Sequence, residues 1–139
     1  MNINDKALNL SLTILNHCWS EWPIRINLSY TELGVEHFIE RRSPQEKRNY
    51  QINHELLEKI LESLVTKNII TYSAVRNDKV YDASLTVDSH VKLSLIIEYR
   101  KKCQPVAWFL HDKLNDKDCY ADDEIIALLQ GIGIDLAVH

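Results

Sequence analysis

The strongest pattern in the chain is a change of hydrophobic period near its middle. Leu56, Leu57, Ile60, Leu61 and Leu64 recur at helical spacing, with Glu55, Glu58, Lys59 and Glu62 on the opposite side, so this stretch reads as an amphipathic helix. Asn53 is placed to cap its start, and Asn68, which tolerates the left-handed conformation, to end it. Beyond Asn68 the period falls to two. Ile70, Tyr72 and Ala74 share one side, and Tyr81, Ala83, Leu85 and Val87 do so again across Arg76-Asn77-Asp78-Lys79, which predicts a hairpin.

The same reasoning places the other elements. Leu8, Leu12, Leu15, Trp19 and Trp22 line one face of a first helix over residues 5–21, which Pro23 ends, and the two tryptophans are expected in the core. Ile24, Ile26 and Leu28 alternate with polar neighbours as a short strand does. Ser29 and Glu32 have the spacing of a capping box, which would open a second short helix. The basic stretch 40–50, with Ser43-Pro44, reads as a loop. Val91, Leu93, Leu95, Ile97 and Tyr99 alternate and favour a third strand, although Ser89 is placed to cap a helix there instead. Residues 106–110 read as either a fourth strand or a buried turn of helix. Asp122, Asp123 and Glu124 suit a helix N-terminus, Ile125, Ile126, Leu128 and Leu129 give its buried stripe, and Gly131 its stop. Ile132, Ile134, Leu136 and Val138 alternate like an edge strand.

These elements make an α+β fold: N-terminal helices, a helix-plus-hairpin unit extended to a three- or four-stranded antiparallel sheet, and a C-terminal helix. With 139 residues and no Pro/Gly/Ser linker or repeat, one compact domain over 1–139 is expected. Helix, short strand, capped helix, amphipathic helix and hairpin is an order that resembles the winged helix-turn-helix superfamily over residues 5–87. The resemblance implies DNA binding, with the N-terminal turns of the last helix in the major groove and the hairpin on the backbone. Carried over, the groove positions are Tyr50, Gln51, Asn53, His54 and Glu55, and the hairpin tip runs over 76–79 with Arg76 and Lys79. Arg41, Arg42, Lys47 and Arg48 supply a basic run just before them.

Charge complicates that picture. The net charge is −4, so the chain lacks the basic balance of a protein that grips nucleic acid over its whole surface, and Glu55, Glu58 and Glu62 would repel phosphates. Asp112, Asp116, Asp118, Asp122, Asp123 and Glu124 make the C-terminal third acidic, offset locally by Lys113 and Lys117. Trp108 beside this segment has the character of an interface anchor if exposed.

Catalytic chemistry is not indicated. Gly-rich phosphate loops, nucleophile elbows and zinc or calcium motifs are missing, and no enzyme, cofactor or metal is expected. His17 beside Cys18 lies on an apolar helix where neighbours point apart, and His111 with Asp112, Asp116, Asp118 and Cys119 matches no ligand spacing. Three cysteines without a CxxC pair suggest neither a disulfide framework nor a zinc knuckle. With no spanning apolar run and no leader-like start, a cytoplasmic setting and no membrane are expected. Two functions fit. The first, favoured by charge, is a small non-enzymatic inhibitor or adaptor of the immunity, antitoxin or anti-defence type, its acidic segment binding a basic partner such as a nuclease or nucleic-acid-binding protein. The second is a winged-helix transcriptional regulator that binds DNA.

Overall fold

The computed structural model describes residues 3–35 and 43–136. Eleven elements follow in order: α1 (Ile3–Glu21), β1 (Ile26–Ser29), α2 (Pro44–Thr66), β2 (Ile70–Thr71), β3 (Ala74–Arg76), β4 (Lys79–Leu85), α3 (Val87–Leu93), β5 (Ile96–Tyr99), β6 (Lys102–Pro105), α4 (Val106–Asn115) and α5 (Asp122–Gly131). The fold is α+β, with helices at its N-terminal end, two antiparallel sheets and a helix at its C-terminal end.

The first sheet is built around β4, which pairs with β1 on one side and with β2 and β3 on the other. Asn77 and Asp78 turn the β3–β4 hairpin with φ of 51° and 55°, the left-handed pair that a two-residue hairpin turn needs. One β4 residue breaks the expected alternation. Between the pairs Ile26↔Ala83 and Leu28↔Val80 the register shifts, and Asp82 there has φ 57°. This bulge reverses the phase of the strand, so Val80 and Ala83 are buried while Tyr81, expected on the inner face, is half-buried. Asn27 Oδ1 accepts from the Asp82 amide at 3.1 Å, and the Ser73 hydroxyl donates to the Asp82 carboxylate at 2.8 Å.

α2 begins nine residues before the Asn53 expected to cap it. Ser43 is the N-cap, accepting from the Glu46 amide at 3.2 Å while Glu46 accepts from the Ser43 amide at 3.3 Å, and Pro44 occupies the first turn. The expected loop is therefore helical from Pro44 onward, and Asn53 lies inside the helix. At the other end the Ile69 amide reaches the Leu64 carbonyl at 2.8 Å around Asn68, whose φ is 59°, which closes the helix as expected. The Ser29–Glu32 box also forms, at 3.2 and 3.4 Å, but it opens only a turn. Gly34, φ 72°, ends that turn at once, and the Val35 amide folds back to the Tyr30 carbonyl at 2.8 Å.

The strand expected over 91–99 is divided. Thr86 caps α3 by accepting from the Ser89 amide at 3.2 Å, and extended backbone resumes only at Ile96. β5 then pairs with β6 as a separate two-stranded sheet rather than extending the first. Residues 106–110 are helical, opening α4. After α5 the expected edge strand is replaced by a cap: Gly133, φ 85°, lets the Ile134 amide reach the Leu129 carbonyl at 2.9 Å, so Gly131 is the last helical residue rather than the stop. Val138 lies outside the described residues.

The core joins Leu12, Leu15, Leu57, Ile60, Leu61 and Leu64 to Val80, Leu85, Phe109 and Leu129. α1 packs on α2, β4 and α4, and so connects the sheet built around β4 to the C-terminal helices. Trp19 and Trp22 sit half-buried at its end, Trp19 Nε1 donating to Ser94 Oγ at 3.0 Å and Trp22 stacked on His90 with centroids 4.0 Å apart.

Candidate functional site

The first nine residues of α2 bury little. Gln45, Lys47, Arg48, Asn49, Gln51 and Ile52 are exposed, and only Tyr50 among them is half-buried. Tyr50 holds this end in place. Its hydroxyl donates to Asp78 Oδ1 at 2.9 Å, joining the helix to the tip of the β3–β4 hairpin. One turn on, His54 stacks on Tyr50 with ring centroids 5.7 Å apart and 13° between planes. His54 Nε2 lies 2.8 Å from the Glu58 carboxylate, and His54 Nδ1 is hydrogen-bonded to the Tyr30 hydroxyl. A carboxylate only accepts, so in the neutral ring Nε2 carries the hydrogen and Nδ1 accepts from Tyr30. Burial first, then Tyr50, Asp78 and Glu58 nearby, holds the Tyr30 hydroxyl well above the ordinary tyrosine range, which keeps it a donor. The Tyr30 amide also donates to the Asp78 carbonyl at 2.9 Å.

This network redistributes the residues expected to face a DNA groove. Tyr50 holds the hairpin, His54 is taken up by Tyr30, Glu58 and its stacking on Tyr50, and Asn53 is half-buried, so these three are not on the outer face. Lys47, Arg48 and Gln51 are exposed beside them, as are Arg76 and Lys79 on either side of the hairpin turn. Arg76 rests its guanidinium 4.9 Å from the Tyr81 ring centroid. Arg41 and Arg42 lie outside the described residues. Among the described residues, no carboxylate forms an ion pair with Lys47, Arg48, Arg76 or Lys79. Tyr30, Glu58 and Asp78 complete the network and were not singled out from the sequence for this role. The clue was Asp78 in a turn facing a helix with a tyrosine, which only tertiary structure brings together.

The acidic segment is more internally satisfied than its composition suggests. Lys102 Nζ lies 3.1 Å from Asp112, Lys113 Nζ 2.9 Å from Asp122, and the Arg100 guanidinium 2.7 Å from Glu124. The cations of the β5–β6 hairpin, and not only Lys113 and Lys117, therefore offset it. Desolvation raises the pKa of Asp112, but hydrogen bonds from Gln104 and Lys102 outweigh it and hold the carboxyl below its usual range. Lys113 and then Asp5 lower Asp122, and the Tyr99 hydroxyl does most to lower Glu124. Asp116, Asp118 and Asp123 stay exposed, with Asp116 accepting from the Asp118 amide at 3.1 Å. Trp108 is 51% exposed and Phe109 is buried against Tyr99 and Tyr120.

Chemistry elsewhere is constrained. Burial pushes the Cys18 thiol up to about 12, leaving it protonated and a poor nucleophile beside His17. His111 is hydrogen-bonded to Asn115 at 3.0 Å, and Asp112 to Gln104 at 2.9 Å. Among the described residues, no group of three or more His, Cys, Asp or Glu side chains is arranged to hold a metal ion, and no helix is long and apolar enough to cross a membrane. Comparison with protein families, with curated proteins and with solved structures finds no match to this chain.

Proposed function

We propose that this chain binds duplex DNA through the N-terminal end of α2 and the tip of the β3–β4 hairpin, as a winged-helix-like regulator. One observation carries the reading: the Tyr50–Asp78 hydrogen bond brings the exposed, basic helix end, with Lys47 and Arg48, beside a hairpin tip flanked by Arg76 and Lys79. Four cations that form no ion pair among the described residues, on two adjoining elements, suit a phosphate backbone, whereas half of the acidic side chains in the C-terminal third are already paired. If up to four phosphates are contacted, log affinity should fall with log salt at a slope of roughly −3 to −4. Titration of a labelled duplex at several salt concentrations tests this, and a flat salt response would reject it.

A second reading, a non-enzymatic inhibitor or adaptor that binds a basic protein, draws on a different observation. Large apolar side chains are exposed along α3, β5 and α4, with Val87 at 68%, Ile96 at 67% and Trp108 at 51%, and Asp116, Asp118 and Asp123 are exposed in the same part of the chain. Aromatic anchors with a charged rim are characteristic of protein interfaces. Affinity capture from the native host with and without nuclease separates the two. A stoichiometric protein partner that survives nuclease favours this second reading, and a complex that nuclease dissolves favours the first.

A further inference from the structure

Arg48, Gln51, Ile52 and Glu55 fall at positions i, i+3, i+4 and i+7 of α2, a single stripe whose four members are all exposed. The stripe lies away from Leu57, Ile60, Leu61 and Leu64, which bury the opposite side of the same helix. Ile52 is its one apolar member and is 52% exposed. A single exposed aliphatic is ordinary on a protein surface. What sets Ile52 apart is its position on the exposed N-terminal end of the helix, with Arg48 one turn before it on the same face, while the Tyr50–Asp78 bond ties the hairpin to the other side of that helix end. Gln51 Nε2 donates to Glu55 Oε1 at 2.9 Å, so the remaining oxygen of that amide is an acceptor, the group an exocyclic base amine requires.

We propose that Ile52 is a specificity-determining residue that packs on the 5-methyl group of a thymine in the major groove of duplex DNA, with Arg48 and Gln51 on the neighbouring positions. The inference rests on the DNA-binding reading above. It follows from chemistry: the thymine methyl is the apolar group among the base edges of the major groove, and a branched aliphatic one turn from an arginine can approach it while that cation holds a phosphate. Tyr50, bonded to the hairpin, and His54, held by Tyr30 and Glu58, are not available for that contact.

The test uses the full chain and a duplex selected by it from a random pool, remade with deoxyuridine in place of one thymidine at a time. Uracil keeps every hydrogen-bonding group and lacks only the methyl. At one or two positions the exchange should weaken binding by about fourfold, the worth of one buried methyl group, and in Ile52→Ala the thymine and uracil duplexes should bind equally. Ile52→Val, which keeps a branched apolar end, should retain the discrimination. Thermal melting confirms that the variants fold. Uracil exchange without effect on the wild type, or an effect that persists in Ile52→Ala, overturns the assignment of Ile52 while leaving DNA binding in place. Failure to enrich any duplex overturns the underlying reading, and this inference with it.

Discussion

Lys113 carries its ammonium group to a position only 9% exposed and gives it three partners: the Lys117 and Tyr120 carbonyls at 2.6 Å each and the Asp122 carboxylate at 2.9 Å. It thereby fixes the turn between α4 and α5. Lys113→Met keeps the aliphatic stem and leaves those acceptors unpaired, so chemical denaturation should show a loss of about 2 kcal/mol. The carboxylates of this region also set an acid limit on stability. Asp112, Asp122 and Glu124 are held below their usual range in the folded chain, so their contribution is present above the unfolded carboxylate values and is lost as pH falls through the lower, folded ones. Melting temperature should therefore be flat toward neutrality and fall below about pH 4. Lys113→Met should show a shallower acid limb, because the first cause of the Asp122 shift is gone. An acid limb as steep as the wild type's would remove Lys113 from this account.

At the scale of elements, α2 is two structures in one helix, and they should respond differently to mutation. Its second half is held by burial: Leu61→Ala empties a fully buried site and should cost about 2 to 5 kcal/mol in global stability. Its first half is held by the capping box and the Tyr50–Asp78 bond. Ser43→Ala should cost about 1 kcal/mol, and hydrogen exchange should quicken at the amides of residues 46–50 far more than in the second half. Equal acceleration along the helix would contradict this division. It also explains what the sequence disclosed. The second half of α2, α1, the start of α5 and the 76–79 turn were legible because an apolar stripe or a turn dipeptide announced each. The first half of α2 was not, since a helix end that buries little besides Tyr50 leaves no period to read, although Ser43, Pro44 and Glu46 held the signal. Residues 91–99 misled for the opposite reason: Val91, Leu93, Leu95, Ile97 and Tyr99 alternate, yet Thr86 caps a helix that runs through the first two and ends at Leu93. In the candidate site the charges were legible and their pairing was not, because Arg100 meets Glu124 and Tyr50 meets Asp78 across long separations in the chain.

For the whole molecule, the two halves joined by α1 present different surfaces. One end offers Lys47, Arg48, Arg76 and Lys79 on a helix and hairpin tied together. The other offers exposed apolar side chains with carboxylates that are in part neutralised by Lys102, Lys113 and Arg100. Amide replacement of Asp116, Asp118 and Asp123 should leave DNA affinity unchanged or slightly raised, since it removes distant negative charge, and equilibrium titration checks it. Removing Asp78 should act otherwise. Asp78→Gly keeps a residue suited to the left-handed turn position, takes away a negative charge and frees the hairpin from Tyr50, and a loss of affinity despite the gain in net positive charge would identify the tie as the organising feature. The most direct measurement compares the wild type with Lys47→Glu/Arg48→Glu/Arg76→Glu/Lys79→Glu in fluorescence-anisotropy titrations of a labelled duplex at low salt, with thermal melting recorded for both. The account predicts binding by the wild type and none by the folded charge-reversed protein; equal binding by the two, or no binding by the wild type, would contradict it.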